Sequence, residues 1–173
     1  MATTDRHDAL IDRLADHVLA EGLTASSLRP LAKAAGTSDR MLLYYFADKD
    51  AVIAAALERV AQRMVALLDM AAPPAPLAPQ ALRDHVAPLL GDASVWPFMR
   101  VWLDMAARAA QGDTAIRAVG AQIGQAFLDW IARHLDLPAA ERAGAAARLL
   151  IEIEGTVLLA SLGLDDAIAA ARG

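Results

Sequence analysis

Apolar residues recur along this chain at helical spacing. Leu10, Ile11, Leu14, Val18 and Leu19 form one stripe, while Asp8, Asp12 and Asp16 fall away from it. Runs of β-branched residues with period two are missing, and so are Asn-Gly and Asp-Gly hairpin turns. The fold class that follows is all-α. The pattern predicts helices over about 5–21, from Leu28 to about 35, over 39–46 and over 49–71. It predicts further helices near 80–91, 95–111, 114–135, 139–162 and 165–171. Gly22 ends the first, Ser26 or Ser27 caps the second, Ser38 the third, Asp48 the fourth, and Asp113 one of the later helices. Pro30, Pro97 and Pro138 sit in first turns, where no N–H is needed. Pro88 is expected to kink or shorten its helix. The stretch 72–79 carries Pro73, Pro74, Pro76 and Pro79 and reads as a stiff, non-helical connector. The expected division is a domain over 1–50 and a helical body over 51–173.

At 57% hydrophobic and 21% charged residues, the composition is that of a globular protein. The net charge of −5 excludes a polycationic coat, so any nucleic-acid contact must be local. The absence of cysteine excludes disulfides, Cys-ligated zinc and thiol catalysis. His7, His17, His85 and His134 are dispersed without metal-ligand spacing, and no phosphate loop or nucleophile elbow is present. No enzyme activity, metal or cofactor is expected. The segment Met1 to Asp12 holds three Asp and no apolar run, unlike a signal peptide, and no stretch approaches the roughly 18–20 apolar residues of a membrane span. A soluble cytoplasmic protein is expected.

The most informative segment runs from Ser27 to Phe46. A tight Ala35-Gly36-Thr37-Ser38 turn joins two short helices that follow a longer one, the order of a helix–turn–helix. On a wheel of about 100° per residue, Leu42 and Phe46 share one face, whereas Arg40 and Tyr44 lie about 160° and about 200° from Leu42. Met41 and Leu43 flank at about 100° on either side. Arg40 can donate two bonds to a guanine edge, Tyr44 can reach a base or phosphate, and Met41 can press on a thymine methyl. Lys49 and the helix N-terminus it opens suit a phosphate, and Arg29 offers a further phosphate or base contact. An aromatic core corner at Tyr44-Tyr45-Phe46 is the competing reading, and Phe46 is expected to be core.

Residues about 6–57 resemble the DNA-binding domain of the TetR family of bacterial regulators. The resemblance rests on Ala35-Gly36-Thr37-Ser38, on the Tyr-rich helix end at Tyr44-Tyr45, and on Phe46-Ala47-Asp48-Lys49 at matching spacing. It implies a three-helix DNA-binding domain on a helical ligand-binding and dimerisation body. The implied DNA-facing set is Arg29, Thr37, Ser38, Asp39, Arg40, Met41, Tyr44, Tyr45 and Lys49. Two positions depart from the family: Leu43 stands where a phosphate-binding Tyr is common, and Arg40 where a small residue is common. Tyr45 and Lys49 are then expected to carry more of the phosphate contact. The first 60 residues hold 7 basic against 9 acidic side chains, a net −2 that opposes nonspecific DNA affinity.

In the body, Trp96, Phe98, Met99, Trp102 and Met105 gather on one predicted helix and Phe127 and Trp130 on another. They suit either ordinary core or an apolar pocket, for which Met99, Trp102, Met105, Phe127 and Glu152 are the candidates. Of Glu152 and Glu154, which point to different faces, one is expected at the rim and one in the pocket. The run from Leu149 to Leu162 is apolar nearly all round and must be covered on both sides. Leu150, Gly155, Leu158, Leu159 and Leu162 are therefore assigned to a homodimer interface. Asp8, Asp12 and Asp16 read as a solvated acidic ridge. The function expected is a ligand-responsive homodimeric regulator, most simply a repressor, with double-stranded palindromic operator DNA, a small apolar or aromatic ligand and its own copy as partners. The alternative is a helical ligand-binding or interaction protein of the same fold with weak DNA affinity.

Overall fold

In the computed structural model of the chain, residues 2–172 are described, with side-chain surroundings for 6–171, and among them nine helices form and no strand. They are α1 (Ala2–Glu21), α2 (Leu28–Ala34), α3 (Asp39–Tyr45), α4 (Lys49–Met70), α5 (Pro79–Leu90), α6 (Trp96–Ala110), α7 (Thr114–Arg133), α8 (Ala139–Ser161) and α9 (Asp165–Arg172). The observed ends fall within three residues of those predicted, the ordinary uncertainty of a fraying terminus. Pro79 is the exception in kind. It opens α5 instead of closing the connector, because its missing N–H is one of those a helix start leaves unpaired. Pro88 falls in the last turn of α5, where little helix remains to disturb.

Three predicted caps form. Ser38 Oγ accepts from the Met41 N–H at 3.3 Å, Asp48 from Ala51 at 2.8 Å and Asp113 from Ile116 at 3.0 Å. The cap on α2 differs. Ser27 occupies the N-cap position without a side-chain bond, and Ser26 is buried with its hydroxyl donating to the Gly22 carbonyl at 2.7 Å. Ser26 therefore closes the end of α1 and does not start α2.

The contacts divide the chain into two compact units, one of residues up to 67 together with 100–123, the other of 68–99 and from 124 onward. The first unit is centred on Leu10, Leu14 and Val18 of α1, Leu31 of α2, Leu42 of α3, and Val52, Ala56 and Leu57 of α4, all buried. Ile11 and Leu19, expected on the same stripe, are half-buried at its edges. Residues of α6 join this unit through polar bonds to the backbone around the end of α1. Arg100 donates to the carbonyls of Leu19 at 2.6 Å and Ala20 at 2.9 Å. Asp104 accepts from the Leu23 N–H at 3.2 Å, and Arg108 donates to the Leu23 carbonyl at 2.8 Å. Gly22, at φ 79°, makes the approach possible, since a Cβ there would stand 3.0 Å from an Asp104 carboxylate oxygen.

The acidic ridge of α1 is not simply solvated. Arg59 of α4 donates to Asp8 at 3.1 Å and Asp12 at 2.7 Å, and Arg63 donates to Asp12 at 2.8 Å and Asp16 at 2.6 Å. The four-residue spacing that makes a ridge on α1 matches the spacing of the two arginines on α4, so the groups interleave. The ridge is solvated as expected, with the Asp8 and Asp16 side chains 53% and 65% exposed, and it is paired as well.

In the second unit the connector is anchored. Leu77 forms a single parallel bridge with Leu135, its N–H donating to the His134 carbonyl and its own carbonyl accepting from Asp136, each at 2.8 Å. Trp130 is buried, with its indole N–H donating to Asp69 at 2.8 Å. Around them Leu82, Val86, Met99, Ile131, Leu149 and Val157 form the core.

The ladder makes a pH-dependent prediction. Hydrogen bonds from Arg63 and then Arg59, with their charges, hold the Asp12 carboxyl below its ordinary value of 3.8. The folded value is depressed, so the stabilisation is complete above the unfolded value and is lost as pH falls through the folded one. The Asp12 side chain is 41% exposed, so solvent screens the pair. Asp12→Asn should therefore cost only about 0.5–1 kcal/mol at neutral pH. It should also flatten the loss of stability below about pH 4, as read by urea unfolding across that range; an acid limb as steep as the wild type's would refute the assignment.

Candidate nucleic-acid interface

Helices α2 and α3 are joined by a turn in which the Ala35 N–H donates to the Leu31 carbonyl at 2.9 Å, Gly36 to Lys33 at 3.1 Å and Thr37 to Ala32 at 2.9 Å. Gly36 stands at φ 68°, a conformation that a residue with a Cβ adopts only under strain. The chain therefore turns sharply enough to set α3 across α2.

Seven residues are too few for a helix to hold itself, so α3 depends on what it buries. Leu42 is fully buried, and Phe46 just past the helix end is buried with its ring 5.4 Å from that of His7. This fixes the rotation. Tyr44 is 78% exposed, Arg40 is exposed, and Met41 and Leu43 stand out on either flank. The aromatic corner is thus divided: Phe46 is core, Tyr44 is outward, and Tyr45 is half-buried. Tyr45 lies 5.7 Å from the His7 ring and meets Tyr44 edge-on at 5.4 Å.

The other candidates surround this face. Arg29 and Lys49 are exposed, Lys49 as the first residue of α4. Thr37 is half-buried in the turn. Ser38 is exposed, with its oxygen occupied in capping α3. Asp39 is exposed in the first turn of α3, where its charge favours the helix N-terminus and repels phosphate. Its carboxylate suits only a base-edge donor such as the cytosine amino group. The face therefore combines three cations, a tyrosine and two apolar side chains, a mixture for phosphates, base edges and thymine methyls. Leu43 was not among the sequence candidates; an exposed Leu on a helix of seven residues is the signal that marks it.

The ligand candidates do not converge on one cavity. Trp102 and Met105, in the first unit, line a cleft of about 160 Å³ between α6 and α7 with Ala109, Ile116 and Gly120. Glu152, in the second unit, lines a separate groove of about 630 Å³ among α5, α8 and α9. Glu152 is exposed there, 3.9 Å from Arg83, while Glu154 is the more buried of the two carboxylates. Met99 is buried and Phe127 half-buried, and neither lines these cavities.

Along α8, Leu158 is 49% and Leu162 66% exposed, whereas Leu150, Gly155 and Leu159 are half-buried. Ile151, which the sequence did not single out, is 71% exposed. Ile151, Gly155, Leu158 and Leu162 follow the i, i+4, i+7, i+11 spacing of one helix face. A Cβ added at Gly155 would meet nothing within 4 Å.

Among the described residues no group of three His, Asp or Glu side chains is placed to hold a metal ion, and no helix is long and apolar enough to cross a membrane.

Residues 13–56 match the sequence profile of bacterial regulatory proteins of the tetR family. No curated protein matches the chain in sequence. Among solved structures, a transcriptional regulator from Rhodococcus sp. Rha1 is similar over 87% of this chain and 81% of its own, with 25% identity and a TM-score of 0.69. A proposed transcriptional regulator from Streptomyces coelicolor A3(2) shares the fold at 21% identity and a TM-score of 0.67, over 88% of this chain and 85% of its own. A TetR-like transcriptional regulator from Rhodococcus sp. RHA1 shares it at 23% identity and a TM-score of 0.57, over 91% and 85%. The chain has the all-helical fold of these regulators, and its residues 13–56 carry the sequence profile of bacterial regulatory proteins of the tetR family.

Proposed function

We propose that the chain is a cytoplasmic, non-enzymatic transcriptional repressor that binds a palindromic operator as a homodimer and releases it when a small apolar or aromatic ligand binds. The observation that carries the reading is the division of α3. Leu42 serves the core, while Arg40, Met41, Leu43 and Tyr44 are left outward with no structural task that would explain them. The net −2 of the first 60 residues weighs less against this reading than it does in sequence, since Asp8, Asp12 and Asp16 are paired with Arg59 and Arg63. The exposed apolar stripe of α8 supports a two-fold pairing, because a monomer rarely leaves such a patch to solvent. Two α3 helices would then reach successive major-groove faces about 34–36 Å apart. A ligand acts only through its difference in affinity for the DNA-binding and released states, on the order of 1–3 kcal/mol.

Two measurements test this. With DNA from upstream of the chain's own gene, Arg40→Ala and Tyr44→Ala should each weaken specific binding by roughly 1–3 kcal/mol at unchanged melting temperature. Lys49→Ala should weaken all sequences alike and reduce the salt slope by about one. Loss of fold in the first two, or a base-specific loss in the third, contradicts the assigned contacts.

Sedimentation tests the assembly. Leu158→Glu should give a folded monomer with weakened operator binding even though α3 is intact, since a charge in a closed apolar interface is left unpaired. Leu159→Glu, at a half-buried position, should lower stability as well. A wild-type chain that sediments as an 18.3 kDa monomer while holding the full operator tightly would refute the dimer.

A further inference from the structure

We propose that the cleft between α6 and α7 binds a monocyclic aromatic carboxylate. The cleft is open on one side, and its volume of about 160 Å³ has room for one six-membered ring, since an enclosed apolar cavity of about 150 Å³ holds benzene. The lining is almost wholly apolar. Trp102 supplies a flat indole, and Met105 a thioether that favours an aromatic neighbour. Gly120 keeps the slot open: a Cβ there would stand 3.6 Å from the Met105 terminal methyl. The polar group is Arg117, which also lines the cleft. It is exposed, and among the described residues no ion pair engages it. A guanidinium beside an apolar slot selects a planar anion, and it holds a carboxylate through two parallel hydrogen bonds. Size and charge together thus favour a single ring bearing a carboxylate.

The same helix carries a way to read occupancy. Relative to Trp102, the side chains of Met105, Ala106 and Ala109 lie within about 60° on the α6 wheel, while Arg100 and Asp104 lie about 160° away and Arg108 about 120° away. The far side is the one that bonds the backbone of Leu19, Ala20 and Leu23. That backbone leads directly into α2 and α3. A ring wedged between α6 and α7 shifts a helix whose opposite face holds the entry to the helix–turn–helix. This readout rests on the DNA-binding reading; the ligand site does not.

Benzoate is the probe, with benzyl alcohol as the neutral control, and the full chain is titrated by calorimetry and by nitrogen–proton NMR of the indole groups. Benzoate should bind with a dissociation constant on the order of 1 mM or tighter, as a ligand of this size allows. It should move the indole signal that Trp102→Phe removes. Arg117→Gln, at an exposed position, should weaken benzoate about ten- to a hundred-fold and leave benzyl alcohol unchanged. Gly120→Ala should weaken both while raising the melting temperature, since it improves helix propensity. Equal benzoate affinity in wild type and Arg117→Gln, or movement of the Trp96 or Trp130 signal in place of Trp102, overturns the site. Arg100→Ala and Asp104→Ala should still bind benzoate but lose its effect on DNA affinity; a full effect in both overturns the readout. Benzoate binding at the cleft by a chain that binds no DNA refutes the repressor and leaves the site standing. DNA binding without a cleft response does the reverse.

Discussion

The burial of Leu42 is the constraint on which the interface depends. A helix of seven residues gains little from its own hydrogen bonds, so its rotation is set by the side chains it hides. With Leu42 fully buried and Phe46 closing the end beside His7, only one orientation of α3 avoids exposing a large apolar pair. In that orientation Arg40 and Tyr44 have nowhere to go but outward. The outward face and the core are thereby separated on one short element: substitutions on the outward face leave the core untouched, while any change at Leu42 disturbs both. The same division explains why Tyr45, caught between His7 and Tyr44, is a poor candidate for a freely moving base contact.

Electrostatics follow from a similar economy. A net negative charge opposes DNA binding most where its acids are free. Three acids of α1 are tied to two arginines of α4, and Asp104 is engaged by a backbone N–H. Asp48 caps α4. What remains around α3 is Arg29, Arg40 and Lys49 against Asp39 and Asp50, a local balance that total charge conceals. The exposed pairs are individually weak, yet interleaving makes Asp12 a partner to both arginines, so the ladder acts as one unit holding α1 against α4.

Helical periodicity, caps and glycines made the nine elements legible in sequence, because each of those signals is local. Ser38, Asp48 and Asp113 cap where their spacing to an apolar run indicated. The wheel of α3 was legible for the same reason, as it needs only one helix and one buried anchor. Long-range polar pairing was not. Nothing within α1 announces that Arg59 and Arg63 will lie beside it, and Arg100, Asp104 and Arg108 bond to backbone atoms that carry no side-chain signature. Their i, i+4, i+8 spacing was the available hint, since it marks a polar stripe on an otherwise apolar helix. The ligand candidates were less legible, because burial is set by neighbouring helices and not by one wheel: Met99 lies only about 60° from Trp102 on α6, yet Met99 is core and Trp102 lines a cleft.

The outward faces of α3 and α8 make demands on each other. In the proposed regulator one α3 would offer two or three side chains to bases, each discriminating by roughly 1–3 kcal/mol. A single half-site then falls short of the roughly 4–10 kcal/mol that separates specific from nonspecific binding. Doubling the reading head reaches that range without changing α3, provided the two heads are held at a fixed spacing. A fixed spacing requires an interface that does not slip, and the α8 stripe of Ile151, Leu158 and Leu162 around an open Gly155 is apolar enough to close and narrow enough to define a register. A fixed spacing is also something a ligand can spoil. If α6 must move by a fraction of an ångström to admit a ring beside Gly120, the displacement reaches the end of α1 through three side chains bonded to the backbone, which transmit a shift with little slack. In the proposed dimer, the interface that would fix the spacing is also the reason a small displacement would matter, because a dimer tuned to one spacing would lose both half-sites together.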